Sequence, residues 1–193
     1  MTFVLRTLVA AVALGSLVVP PSAGAAPTKA DPVENPSRVR VAPPSEPGEP
    51  LTLYVRVEDA ESAKALPGAK LLVYQTDHAG YYDRGDDGRE RGPRGARLHA
   101  TAYADASGSI VFDTIVPGSY PGSGIFRHIH FVLSAEGHAE LAKEIILDEA
   151  PRPTAEQKRW AERNGDIVTR RVKAAGGGHE IRVTLKARPA TEG

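Results

Sequence analysis

Leu51-Thr-Leu-Tyr-Val-Arg-Val57 decides the fold, because Leu51, Leu53, Val55 and Val57 alternate with polar or aromatic neighbours. A period of two places every second side chain on one face, so the stretch reads as a half-buried strand. Working outward, Pro67-Gly68 forms a turn into a second strand, Ala69-Lys-Leu-Leu-Val-Tyr-Gln75. Asp105-Ala-Ser-Gly108 forms another turn before Ile110-Val-Phe-Asp-Thr-Ile115. Arg127 to Leu133 is apolar and β-branched enough for a strand, and Glu144-Ile-Ile-Leu147 makes a short one. Gly176-Gly-Gly178 separates Ile167–Val172 from Ile181–Leu185, a pattern that predicts a terminal hairpin. One helix interrupts the strands: Thr154 with Gln157 three residues on is a capping box, and Gly165 stops it. Trp160 lies on that helix and is expected to be a packing residue. Short strands punctuated by turns predict an all-β chain, a β-sandwich of mixed or antiparallel strands with one short helix and long loops around the active site.

The chain has 193 residues, with 24 basic side chains against 24 acidic and no cysteine. A hydrophobic fraction of 41% with 25% charged residues is ordinary globular composition. Zero formal net charge gives no reason to expect nucleic acid or an acidic membrane as partner. Without cysteine there are no disulfides, thiolate-held metals or cysteine nucleophile, so any metal must be held by His, Tyr, Asp or Glu.

The N-terminus reads as an address. The apolar run Leu8 to Val19 is 12 residues long, too short to cross a bilayer, and Pro20-Pro21 end it. Ala23-Gly-Ala25 supplies a small-residue cleavage pattern, so residues 1–25 are expected to be a secretory signal peptide. From 26 to 50 there are seven prolines and almost no periodicity, which predicts an extended, semi-rigid tether. The folded domain is expected over 51–188, in a secreted or periplasmic protein with no stable membrane insertion once the leader is removed.

Few residues carry chemistry. His128-Ile129-His130 is the sharpest feature: on a strand both imidazoles share one face while Ile129 points into the core. Tyr120 lies in the loop feeding that strand, and Tyr82 closes Gly80-Tyr-Tyr82 after another. A free phenol with a pKa near 10 is a poor ligand at neutral pH, but a trivalent cation stabilises its phenolate. Ferric iron is hard and prefers anionic oxygen, whereas zinc or copper would choose other ligands first. Two phenolates and a hydroxide would cancel the three positive charges and leave a neutral ferric centre able to accept a dianionic, bidentate oxygen substrate.

In order along the chain, Tyr74-Gln-Thr-Asp-His-Ala-Gly-Tyr-Tyr82, Phe112-Asp-Thr-Ile-Val-Pro-Gly-Ser-Tyr-Pro121 and His128-Ile-His-Phe131 resemble the intradiol ring-cleavage dioxygenases, such as catechol 1,2-dioxygenase and protocatechuate 3,4-dioxygenase. Gly48-Glu-Pro-Leu-Thr-Leu53 with Leu66-Pro-Gly-Ala69 is similar to that family's opening strands. The resemblance implies a non-haem Fe(III) held by Tyr82 and His128 as equatorial ligands and by Tyr120 and His130 as axial ones. It implies a small aromatic diol and O2 as substrates, with Tyr120 displaced on diol binding to act as the base for the second hydroxyl. Cleavage between the two hydroxylated carbons would give a muconate-type diacid, both atoms of O2 being incorporated. No nucleic-acid partner is expected, and a homo-oligomer is allowed for.

Departures from the family's pattern bear on substrate and rate more than on iron. The family's arginine three residues before the first histidine is here Ile125, and Arg127, directly before His128, would face away from the metal. The family's glutamine in the next strand is here Glu144. The mixed-charge loop from Asp83 to Arg97 reads as solvated, or as a lid able to receive a carboxylated catechol. His78 and His99 are expected at the surface, and His138 and His179 in turns. The competing reading is a non-catalytic β-sandwich binding module of the transthyretin or carboxypeptidase-regulatory type, which would share the turns but has no need of Tyr82, His128 or His130.

Overall fold

A computed structural model describes residues 37–84 and 90–191. The expected signal peptide, and the tether as far as residue 36, lie outside the described residues. Among the described residues, twelve strands and one α-helix follow in chain order. The strands are β1 Arg38–Arg40, β2 Pro50–Asp59, β3 Lys70–Gln75, β4 Asp83–Arg84, β5 Glu90–Arg91 and β6 Leu98–Tyr103. They continue as β7 Ser109–Ile115, β8 His128–Ser134, β9 Leu141–Leu147, then helix α1 Ala155–Asn164, β10 Ile167–Thr169, β11 Val172–Lys173 and β12 His179–Ala187. One five-stranded sheet has the order β1-β7-β2-β12-β11 and the other β10-β9-β8-β3-β6, while β4 and β5 form a separate ribbon. The expected all-β sandwich with one short helix is what the chain forms. Among the described residues no helix is long and apolar enough to cross a membrane.

The period-two pattern builds the core. Leu51, Leu53, Val55 and Val57 of β2 are buried, and so are Ile181, Leu185 and Ala187 of β12, which pairs with β2 in parallel. Phe112 of β7 and Phe131 of β8 are fully buried among them. The inward residues of β8 are Ile129, Phe131 and Leu133, so His128 and His130 must emerge on the opposite face of that sheet.

Three expectations change. The Pro-rich stretch 26–50 is not a tether throughout: Arg38–Arg40 pair in parallel with β7, and Val41 and Ala42 join the core. The described fold therefore begins at Ser37 rather than Leu51. The terminal hairpin does not form as expected either, because β10 pairs in parallel with β9 in the other sheet. Only Val172 and Lys173 pair back onto β12, at Glu180 and His179. Strand β6, masked in the sequence by Ala100 and Ala102 at its inward positions, was not foreseen.

Helix α1 has the predicted capping box, with Thr154 and Gln157 satisfying each other's backbone amides, and Gly165 closes it in the left-handed region at φ 87°. Its polar residues leave Ala161 as the one buried contact. Trp160 is therefore not a core residue but 60% exposed.

Candidate metal centre

His128 and His130 leave the core face of β8, and two loops close over them. Tyr82 ends the loop after β3, and Tyr120 lies within the loop after β7. A buried polar clamp holds those loops together. Gln75, which is 1% exposed, donates from Nε2 to the Ile115 carbonyl at 2.9 Å and accepts at Oε1 from the Thr114 hydroxyl at 3.0 Å. Thr76 donates its hydroxyl to the Gly118 carbonyl at 2.8 Å. The Asp77 carboxylate accepts from the backbone of Ala79 and Tyr81 at 2.9 and 3.0 Å, shaping the turn that delivers Tyr82. Gly80 and Gly118 make the approach possible, since a Cβ on Gly118 would fall 2.4 Å from the Gly80 nitrogen.

The result is one convergent cluster. The Tyr82 and Tyr120 hydroxyls touch each other. Tyr82 Oη lies 2.7 Å from His130 Nε2, Tyr120 Oη lies 3.1 Å from His128 Nε2, and the two Nε2 atoms are 3.0 Å apart. His128 Nδ1 is 2.7 Å from the Phe126 carbonyl. A carbonyl can only accept, so Nδ1 carries the proton and Nε2 presents its lone pair to the cluster. Two phenolic oxygens and two imidazole nitrogens, all four side chains predicted from the sequence, thus meet at one point.

Burial sets the electrostatics. It pushes the Tyr82 phenol well above its ordinary range, helped by the hydrogen bond that Tyr82 donates to Tyr120. It pulls His130 down to about 4, with His128 adding to the effect, so the imidazole is neutral near pH 7. Burial also raises Glu144. A neutral imidazole is ready to bind a cation, and a phenol that resists losing its proton to water surrenders it to a metal. Among the described residues His128, His130 and Glu144 also bring possible ligand atoms within 4.8 Å of one another, so the site can hold a metal.

Of the neighbours, Glu144 was anticipated at the position of the family's glutamine, and the others were not. Tyr74 stacks on His130 with ring centroids 4.6 Å apart at 10°. Glu144 faces His130 across the β8–β9 pairing. A cavity of about 430 Å³ lined by Tyr81, Tyr82, Pro93, Tyr120 and Pro121 opens beside the phenols. A second, of about 250 Å³, lies between the sheet and α1, lined in part by Tyr74, His130, Glu144 and Trp160. Register and loop course decide these contacts, and neither is written in a local pattern.

Other predicted positions lie elsewhere. Ile125 is 45% exposed, and the Arg127 charge helps, least of several groups, to hold Glu49 below its ordinary range. Arg97 makes a bidentate pair with Glu46 at 2.5 and 2.7 Å. His99 hydrogen-bonds the Ala96 carbonyl, His138 pairs with Asp59, and His179 lies 3.3 Å from Glu49. His78 sits beside Gly48. Residues 85–89 of the charged loop lie outside the described residues.

Comparison with known proteins points one way. No family model matches the chain. A catechol 1,2-dioxygenase of Acinetobacter baylyi is 27% identical over 137 residues, covering 63% of this chain and 43% of the relative. The chain thus spans less than half the length of that curated relative. Among solved structures, an Acinetobacter catechol 1,2-dioxygenase superposes with TM-score 0.64 at 24% identity, over 80% of this chain and 58% of that one. An intradiol ring-cleavage dioxygenase from Tetranychus urticae gives 0.63 at 21% identity, over 80% and 87%. The dioxygenase domain of a carbohydrate-binding fusion from a cellulolytic Streptomyces gives 0.55 at 26% identity, over 81% and 92%. The fold is that of these dioxygenases.

Proposed function

We propose that the chain is a non-haem ferric intradiol dioxygenase that cleaves a catechol-type ring with O2 to a muconate-type diacid. The observation that carries this reading is the meeting of Tyr82 Oη, Tyr120 Oη, His128 Nε2 and His130 Nε2, with the contacts to nitrogen at 2.7–3.1 Å. Paired phenols with paired imidazoles fit a hard trivalent cation, whose charge offsets the cost of ionising buried phenols. The relatives named above support the same chemistry.

On this reading the four side chains hold the iron, which when bound supplies the Lewis acidity that draws electron density out of the diol ring and opens it to O2. The remaining work belongs to the chain. Tyr82, buried and hydrogen-bonded to His130, is a fixed member of the set. Both phenols border the 430 Å³ cavity, but Tyr120 lies on a loop between Pro117 and Pro121 and is less buried than Tyr82, so it is the phenol that would swing out when a diol enters. Its phenolate oxygen then takes the second hydroxyl proton. Tyr81, Pro93 and Pro121 supply flat apolar walls for an aromatic ring. Tyr74 stacks on His130 and limits its rotation.

Incubating the iron-loaded chain with catechol under isotopically labelled O2 tests the proposal. A ring-opened diacid carrying both labelled oxygens is expected. Catechol recovered intact, or product cleaved outside the diol, contradicts it. Removing the base with Tyr120→Phe is expected to slow turnover roughly 10²–10⁴-fold. The binding-module reading is not favoured, since it leaves the meeting of two phenols and two imidazoles without a purpose. Export belongs to the same proposal and rests on the apolar run Leu8 to Val19 and Ala23-Gly-Ala25. Its test is the N-terminal residue of the protein recovered outside the cytoplasm.

A further inference from the structure

Among the described residues, Glu144 is the carboxylate that pairs with His130 from the neighbouring strand. It lies opposite His130 in the β8–β9 register, and its Oε1 is 3.5 Å from His130 Nδ1. The other edge of the same ring, Nε2, is turned to Tyr82 Oη at 2.7 Å and to His128 Nε2 at 3.0 Å. One imidazole cannot turn both nitrogens to one ion. A cation shared with the two phenols uses Nε2, which leaves Nδ1 with the proton and the Glu144 carboxylate as the acceptor in front of it.

The sheet fixes this arrangement from behind. The Glu144 backbone amide donates to Asp166 Oδ1 at 3.2 Å, and Tyr74 stacks on the other side of the His130 ring. His128 has the equivalent support from a different group, the Phe126 carbonyl at 2.7 Å from its Nδ1. Both imidazoles are thus backed on Nδ1, one by a neutral carbonyl and the other by a carboxylate.

From this geometry we propose that Glu144 is a positioning residue acting through His130: it accepts from Nδ1–H, holds the tautomer that aims the Nε2 lone pair at the phenols, and makes the ring a stronger donor. The proposal rests on the ferric reading above and deepens it. A carboxylate behind a ligating imidazole orients the ring and raises its basicity, and losing it weakens metal binding about 10–100-fold. It also opposes the alternative in which His128, His130 and Glu144 bind a metal as a two-histidine, one-carboxylate triad. That triad would need Glu144 among the ligating atoms rather than behind the ring.

The test compares the full iron-loaded chain with its Glu144→Gln and Glu144→Ala variants by visible spectroscopy and iron titration. A stronger imidazole makes the ferric ion a poorer acceptor, so the tyrosinate-to-iron band is expected to move to longer wavelength from Glu to Gln to Ala. All three should keep their iron at saturation, with affinity falling roughly 10–100-fold in Glu144→Ala. With diamagnetic gallium(III) in place of ferric iron, the nitrogen-15 shift of His130 Nδ1–H should report a strong acceptor in the wild type and move in Glu144→Ala. A band, affinity and Nδ1 shift all unchanged in Glu144→Ala would overturn the proposal while leaving the ferric reading intact. Loss of iron from Glu144→Gln as complete as from His128→Ala would overturn it too, by making Glu144 a ligand. A wild-type protein that stays colourless with iron defeats the ferric reading itself.

Discussion

Gly80 lies so close to Ser119 that a Cβ at Gly80 would fall 1.9 Å from the Ser119 carbonyl oxygen. The contact joins the loop that ends in Tyr82 to the loop that carries Tyr120, so the two phenols meet because two backbones touch. Gly80 also has φ 92°, a conformation that side chains disfavour.

Gly80→Ala is therefore expected to push the loops apart. The strain and displaced backbone should cost on the order of 1–3 kcal/mol, and iron uptake should fall with them. Urea unfolding together with iron analysis checks both. A variant with wild-type iron content and stability would show that the contact is not what sets the phenols.

Core and centre should separate in their responses. Phe112 is fully buried in the core and is not one of the four convergent side chains. Phe112→Ala should lose about 3–5 kcal/mol by cavity formation, yet retain iron colour in the fraction that stays folded. Denaturant titration and the visible spectrum of the folded protein read the two effects independently.

His138 and Asp59 link the β8–β9 connection to the end of β2 through a 2.9 Å contact. Its backbone hydrogen bond to Glu136, and then Asp59, raise His138 above its ordinary 6.5. Ser62 first, and also His138, hold Asp59 below its ordinary 3.8. A raised histidine stabilises below 6.5 and loses that contribution as pH climbs through its folded value, while a lowered carboxyl stabilises above 3.8 and loses it on acidification. The advantage of wild type over His138→Gln should be greatest between those two values and shrink on either side. Denaturation midpoints from pH 3 to pH 9 check this; a pH-independent difference would contradict it.

Much of the architecture was legible because its signals are local. The alternation at β2, the Asp105–Gly108 turn and the Thr154 capping box need no distant partner to be recognised. Strand β1 was not legible: three residues among prolines become a strand only by pairing with β7. Trp160 misled because one large apolar side chain on a polar helix resembles an anchor, whereas the helix docks through Ala161. At the centre, His128, His130 and Tyr120 could be picked by residue type and position, and Tyr82 rather than Tyr81 by the resemblance to the intradiol dioxygenases. Tyr74 against His130, and Glu144 behind it, depend on the register of three strands, which no single segment encodes.

The visible spectrum of the full chain loaded with ferric iron tests the central claim most directly, alongside Tyr120→Phe and His128→Ala. Convergence of Tyr82, Tyr120, His128 and His130 on one ion predicts a red tyrosinate charge-transfer band in the wild type, an altered band in Tyr120→Phe and loss of metal in His128→Ala. A colourless wild type, or variants that keep its colour and iron content, would contradict the claim.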